Sequence, residues 1–272
     1  MNRDNLLIEA DELLAKIDDP NIRLYDATIL FFRKDAELTA HEEYLQGHIP
    51  GAAFFDHEKF SDPSGDYMYT LASEADLIAQ IGEIGISQTS EVIFYTPGML
   101  PCATRAWWLL HYAGHDNVRV LNGGLAAWKA AGGAVVQGGS EYESTVFEGV
   151  FRPKLFADKH EVQAAMQDGN VCTINTLTPD AYDGAYITGS SYLPCTNLMD
   201  KMASFLPNEV LTSQLEAEAA HERVITYCGG GIAATVNAMA HLMAGNGNVA
   251  VYDGSLHEWM GEGLPLEKAN KA

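Results

Sequence analysis

The feature that most limits what this chain can fold into is that its second half repeats its first. Val92-Ile93-Phe94-Tyr95 returns as Val224-Ile225-Thr226-Tyr227. Asn117 to Trp128 (NVRVLNGGLAAW) returns as Asn248 to Trp259 (NVAVYDGSLHEW), with six of the twelve positions identical. The two echoes lie 132 and 131 residues downstream. A period of that size is a domain rather than a solenoid repeat, so the pattern implies one fold in two tandem copies. The 272 residues of the chain accommodate two such copies.

Within each half, short apolar runs alternate with helical periodicity. Ile22–Asp26, Glu91–Tyr95 and Val118–Leu121 read as buried strands, and so do Val171–Asn175, Arg223–Tyr227 and Val249–Tyr252. Residues 73–84 read as a helix, with Ser73 and Asp76 set as a capping box and Leu77, Ile78 and Ile81 on one face. Residues 104–113, 158–167 and 232–244 supply further helices, and the four tryptophans fall at core positions. Strand–helix alternation predicts an α/β fold of two domains, each a mainly parallel sheet flanked by helices. The polar stretch around Gln137-Gly138-Gly139-Ser140 lacks periodicity. It is expected to be a linker, 137–153, between a first domain of residues 1–136 and a second of 154–272.

Charge and cysteine usage exclude several classes of function. A formal net charge of −21 repels phosphate backbones, so no nucleic acid is expected as a partner. No apolar run reaches bilayer length, and Met1 to Leu7 lacks the pattern of a signal peptide. A cytoplasmic protein with no membrane partner is the expectation. Cys102, Cys172, Cys195 and Cys228 form no C-x-x-C pair and no zinc-like spacing with histidine, so free thiols and no metal are expected.

The strongest local signal is Tyr227-Cys228-Gly229-Gly230-Gly231-Ile232-Ala233-Ala234. A buried strand ends at Tyr227 and a helix follows, with a cysteine and three glycines between. Each glycine loses much backbone entropy on folding, which is wasteful in an ordinary turn. The pattern makes sense where successive N–H groups must curl around one anion at a helix N-terminus. A thiolate held there is nucleophilic. The alternative from the residues alone is a small buried cysteine beside a flexible turn.

With this loop the chain resembles the tandem-domain rhodanese family, the thiosulfate and 3-mercaptopyruvate sulfurtransferases. The resemblance rests on Asp26-Ala27-Thr28, Gly47-His48-Ile49-Pro50-Gly51-Ala52, Arg105-Ala106-Trp107-Trp108 and Asn122-Gly123-Gly124 in the first half, and on Cys228-Gly229-Gly230-Gly231 and Tyr252-Asp253-Gly254-Ser255 with Glu258-Trp259 in the second. It implies two rhodanese-like domains of which only the second is catalytic, because Thr96 stands where the second half has Cys228. It implies that Cys228 takes sulfur from a small donor as a persulfide, cradled by Gly229, Gly230, Gly231, Ile232, Ala233 and Ala234. The acceptor would be a thiol, carried for instance by a thioredoxin-like protein, or cyanide, and no cofactor is implied.

The chain departs from the family pattern in places. Gly230 and Ala233 replace the hydroxyls of mercaptopyruvate-type loops, and the basic residues of thiosulfate-type loops are missing. Family members carry arginines that grip the donor in a stretch ending His-Ile-Pro-Gly. The stretch matched to it here, Asn175 to Gly184 leading to Tyr192-Leu193-Pro194-Cys195, has none, and Cys195 falls on the glycine. A persulfide carrier fed by a protein partner is therefore a competing reading. A cysteine phosphatase would need an arginine closing the loop, and no arginine or lysine lies between Cys228 and Ala244. Asp26 and Arg105, opposite Asn175 and Thr235, are expected to form a structural ion pair. His48 is the residue through which the first domain would reach the site, and Cys102 is expected to be structural.

Overall fold

The alternation of runs resolves into two five-stranded parallel sheets. The computed structural model describes residues 1–30 and 38–269. In the first half the strands are β1 (Leu7–Ile8), β2 (Ile22–Asp26), β3 (Ala53–Phe54), β4 (Glu91–Tyr95) and β5 (Val118–Leu121), in the order β1-β5-β4-β2-β3. In the second they are β6 (Phe156–Ala157), β7 (Val171–Asn175), β8 (Ser191–Tyr192), β9 (Arg223–Tyr227) and β10 (Val249–Tyr252), in the order β6-β10-β9-β7-β8. Strand for strand the two orders are the same, so the duplication extends to topology. All eight pairings within these sheets are parallel, which puts both faces under cover and explains the nearly unbroken apolar runs of β4 and β9.

The flanking helices include α1 (Ala10–Lys16), α2 (Glu74–Glu83), α3 (Leu100–Tyr112), α4 (Gly124–Ala130), α5 (Lys159–Ala165), α6 (Asn208–Gln214), α7 (Ala234–Met243) and α8 (Ser255–Gly261). Helix α2 buries Leu77 and Ile81. Ser73 caps it by accepting the Asp76 N–H, while the Asp76 carboxylate takes the Ser73 hydroxyl instead of closing a full capping box. Helix α3 begins four residues earlier than its periodicity predicts, because Pro101 lies in the first turn, where no N–H is needed. The four tryptophans are buried, and each indole N–H meets a backbone carbonyl. Among the described residues no helix is long and apolar enough to cross a membrane.

Helices α3 and α7 bring the halves together around a shared apolar cluster. The hydroxyls of Thr104 and Thr235 meet there at 2.7 Å, each also near the carbonyl three residues back. This sets Thr235 opposite Thr104, and Arg105 opposite Val236 instead of Thr235. Tyr95 and Tyr227 are 132 residues apart and Thr104 and Thr235 are 131, so the two repeat offsets differ because the first loop is one residue longer.

A second register also differs from the sequence expectation. The Ile49 N–H donates to the Tyr95 hydroxyl at 3.1 Å, and the Ile187 N–H donates to the Tyr227 hydroxyl at 3.0 Å. Gly51 and Gly189 follow at φ +80 and +78. The counterpart of His48-Ile49-Pro50-Gly51 is therefore Tyr186-Ile187-Thr188-Gly189. Tyr192-Leu193-Pro194-Cys195 copies the spelling without the left-handed turn that demands glycine. Phe55 and Leu193 donate to the carbonyls of Asp26 and Asn175, which places Cys195 opposite His57 and not on a glycine.

The segment expected to be a linker is pinned along the first half. The Tyr142 hydroxyl bridges the Leu24 N–H and the Gly51 carbonyl, the Thr145 N–H reaches Gly82, and Arg152 binds Asp116 and His111.

Candidate active site

Cys228 stands at the carboxyl end of β9, a central strand, with 3% of its surface exposed. Most backbone carbonyls of the loop are taken up by donors from neighbouring residues. The Cys228 carbonyl accepts from Leu256 at 3.0 Å and the Gly229 carbonyl from His257 at 2.9 Å. The Gly231 carbonyl accepts from Arg105 at 3.3 Å, and those of Ile232 and Ala233 start helix α7. The N–H groups of Gly229, Gly230, Gly231, Ile232, Ala233 and Ala234 have no protein acceptor among the described residues. They are thus left without a protein partner just ahead of a helix N-terminus, where backbone N–H groups favour an anion.

Two backbone positions make the loop possible. Gly231 has φ +74, and a Cβ there would lie 2.6 Å from the Asp253 carbonyl oxygen. Ser255 takes φ +49 although it carries a side chain, where its counterpart in the first half is Gly124 at φ +54. The Ser255 hydroxyl accepts the Cys228 N–H at 3.1 Å and donates to the Tyr252 carbonyl at 2.8 Å. A left-handed non-glycine residue costs on the order of 1 kcal/mol, so the strain marks a place where the hydroxyl is needed.

The first half reaches the loop through Arg105. Its side chain is 3% exposed, and it donates to the Gly231 and Tyr69 carbonyls and to Asp253 Oδ1, the last at 2.8 Å. Asp253 Oδ2 in turn accepts the Leu71 N–H at 2.7 Å. The expected ion pair between Asp26 and Arg105 does not form. Asp26 Oδ1 accepts from Thr28, Oδ2 has no hydrogen-bond partner among the described residues, and burial raises the carboxyl to about 6. A strand-end carboxylate and a helix arginine suggest a pair by proximity in the first half, but the arginine side chain crosses to the second.

On the second half's own side, Tyr182 and His257 stand against the glycines. The Tyr182 hydroxyl and His257 Nε2 are 2.6 Å apart. A Cβ on Gly229 would strike that hydroxyl, and one on Gly230 would come within 3.1 Å of His257 Nδ1. Burial, then the charge of Cys228, raises the Tyr182 phenol, and burial lowers the His257 imidazole. Neither residue was singled out by sequence reasoning.

Of the other residues marked in the sequence, Cys102 packs beside Ile232 of the loop and Cys195 lies close enough to Cys228 to feel its charge, while His48 and Thr96 belong to the first half's own turns. His48 is buried in the first half, Nδ1 at 3.0 Å from the Tyr44 carbonyl and its ring stacked on Tyr44. Its backbone pairs with Val136, so its contacts are those of a turn histidine and do not extend to the Cys228 loop. Cys102 is fully buried, and burial pushes its thiol up to about 12. Cys195 is raised to about 12 as well, by burial first and then by Cys228. Thr96 caps its own loop by accepting the Met99 N–H, and α3 begins at once, which leaves no glycine cradle there.

Residues 9–131 and 158–262 each match the model of the rhodanese-like domain. A 3-mercaptopyruvate sulfurtransferase of Escherichia coli (strain K12) is 30% identical over 274 residues, covering 96% of this chain and 97% of that one. A thiosulfate sulfurtransferase of Bos taurus is also 30% identical, over 94% of this chain and 91% of its own. The crystal structure of SseA from Escherichia coli, described as a 3-mercaptopyruvate sulfotransferase with the "rhodanese" fold, aligns with a TM-score of 0.84. It is 28% identical, over 94% of this chain and 99% of that chain.

Proposed function

The chain belongs to the rhodanese family and is a rhodanese-type sulfurtransferase; on that footing we propose that it moves a sulfane sulfur from a small donor, 3-mercaptopyruvate or thiosulfate, through a persulfide on Cys228. The observation that carries this reading is the run of six N–H groups that begins one residue after the cysteine and has no protein acceptor among the described residues. The Cys228 thiolate attacks the outer sulfur of the donor. An S–S bond forms, the bond from that sulfur to the rest of the donor breaks, and its electron pair leaves with pyruvate or sulfite. The persulfide anion is held by the loop N–H groups. A thiol, which a thioredoxin-like protein could carry, or cyanide then takes the outer sulfur and restores the thiolate, in a two-step exchange.

In this reading residues 154–272 form the catalytic domain, and residues 1–136 form a non-catalytic one that braces the loop through Arg105. Relatives named for each donor are equally similar to the chain, so similarity does not choose between them. A persulfide carrier loaded by a protein partner is the second reading. It is favoured by the lack of arginine and lysine from Asn175 to Cys195, and by the engagement of Arg105 with Asp253. The test is Cys228→Ser in a thiosulfate and 3-mercaptopyruvate assay with cyanide as acceptor. Turnover by the native chain that vanishes in the variant supports the enzyme. Undiminished turnover in the variant removes Cys228 from the mechanism.

A further inference from the structure

We propose that Tyr182, held by His257, is a further catalytic residue of this site, the group that returns a proton to a leaving group departing as a carbanion. The inference rests on the reading of Cys228 as the sulfur carrier. Three observations carry it. First, the Tyr182 hydroxyl lies against Gly229, the residue that follows the cysteine, so closely that any side chain on Gly229 would strike it. Second, that hydroxyl is fixed by His257 Nε2 at 2.6 Å, and His257 is itself anchored to the loop through its N–H on the Gly229 carbonyl. Third, Tyr182 and Asp183 both adopt left-handed backbone, φ 52 and 54, in a stretch that ends at Gly184. Two consecutive non-glycine residues rarely take this conformation, at a cost of order 1–3 kcal/mol each, and such strain collects where a side chain must be aimed. Tyr182 remains 38% exposed, so it is open to solvent while its hydroxyl lies against the loop.

The chemistry suits a β-mercapto α-keto acid. Its thiol brings one proton. The Cys228 thiolate forms an S–S bond to the donor sulfur, the carbon–sulfur bond breaks, and the electron pair stays on carbon as the enolate of the keto acid. Tyr182 gives its proton to that carbon. The proton carried by the donor sulfur passes to the tyrosinate, with His257 orienting the oxygen throughout. The products are the Cys228 persulfide anion and the methyl keto acid, and no proton is gained or lost overall. Sulfite leaving from thiosulfate is already a stable anion and calls for cations, not for a proton. Arg105, the arginine that bonds the loop among the described residues, is already paired with Asp253.

Rapid-quench measurement of Cys228 persulfide formation, read by mass spectrometry, tests this with 3-mercaptopyruvate as the probe. A separate measurement follows discharge of the formed persulfide by cyanide. Tyr182→Phe is expected to slow loading by roughly 100-fold, the scale of a positioned general acid. That loss should exceed any loss in discharge at least tenfold, on the same general-acid argument. His257→Phe should slow loading by about tenfold, again with the greater effect on loading, and a solvent deuterium isotope effect on native loading should vanish in Tyr182→Phe. A merely structural role would slow both half-reactions alike and leave the isotope effect in place. If the native chain loads readily and both variants load at its rate, the role of Tyr182 is refuted while that of Cys228 stands. If the native chain loads sulfur from neither 3-mercaptopyruvate nor thiosulfate, the enzyme reading falls and this inference falls with it.

Discussion

Replacing Arg105 by methionine probes how far the Cys228 loop depends on the other half of the molecule. The guanidinium is nearly fully buried and makes three hydrogen bonds, to Gly231, Tyr69 and Asp253, while its flat face lies 5.2 Å from the Phe156 ring. Methionine keeps much of the packing volume but strands the Asp253 carboxylate, whose side chain is only 16% exposed, with the Leu71 N–H as its remaining partner. Removing one member of a buried ion pair costs about 3–5 kcal/mol, because the other charge stays desolvated. At roughly 2–4 °C per kcal/mol for a unit of this size, the melting temperature should fall by about 10 °C. Adding Asp253→Leu removes the stranded charge, and the double variant should regain at least about 1 kcal/mol over the single one. Urea denaturation followed by tryptophan fluorescence measures all three differences. Sulfur loading of Cys228 should fall about tenfold in Arg105→Met, equivalent to about 1.4 kcal/mol in the barrier, as the Gly231 carbonyl loses its partner. A stability loss below about 1 kcal/mol together with native loading would refute the view of Arg105 as a strap across the interface.

Two further outcomes follow from the same geometry. Gly231→Ala forces a side chain into the Asp253 carbonyl at a left-handed position, so it should cost about 1–3 kcal/mol and cut sulfur loading by more than tenfold; a fully active, equally stable variant would show that the loop tolerates another path. Asp26, buried and raised to about 6, releases its proton later in the folded chain than in the unfolded one, so stability should decline as pH rises from about 4 to 6 and stay lower above that. A shift of about two units amounts to roughly 3 kcal/mol. Asp26→Asn, the residue that β7 already has at Asn175 with the equivalent bond to the Leu177 N–H, should flatten that decline and be the more stable protein at pH 7.5. Urea titrations at several pH values decide it, and an unchanged slope would count against the assignment to Asp26.

The long central strands were legible because burial on both faces leaves an apolar run with sharp ends; β2, β4, β5, β7, β9 and β10 fall at the predicted bounds. The two-residue edge strands β1, β3, β6 and β8 were not, since so few residues carry no period. Cys228 and its glycines were legible because a glycine run after a strand has few uses. The partners that complete the loop were hidden for different reasons. Arg105 acts across a domain interface that no local pattern encodes. Tyr182 sits in an irregular turn whose left-handed backbone contradicts its residue type. Ser255 could have been found, because the repeat sets it against Gly124 and a hydroxyl replacing a glycine at a tight turn calls for a reason. The misplaced His-Ile-Pro-Gly counterpart shows the reverse hazard: Leu193-Pro194-Cys195 imitates the letters, while Gly189 has the conformation.

Intact-mass spectrometry of the chain after exposure to 3-mercaptopyruvate and, separately, to thiosulfate tests the central claim most directly, with peptide mapping and a cyanide chase. The account predicts a gain of one sulfur atom, located on Cys228 and removed by cyanide. Sulfur found on Cys102, Cys172 or Cys195 instead, or a chain left unchanged by both donors, would contradict it.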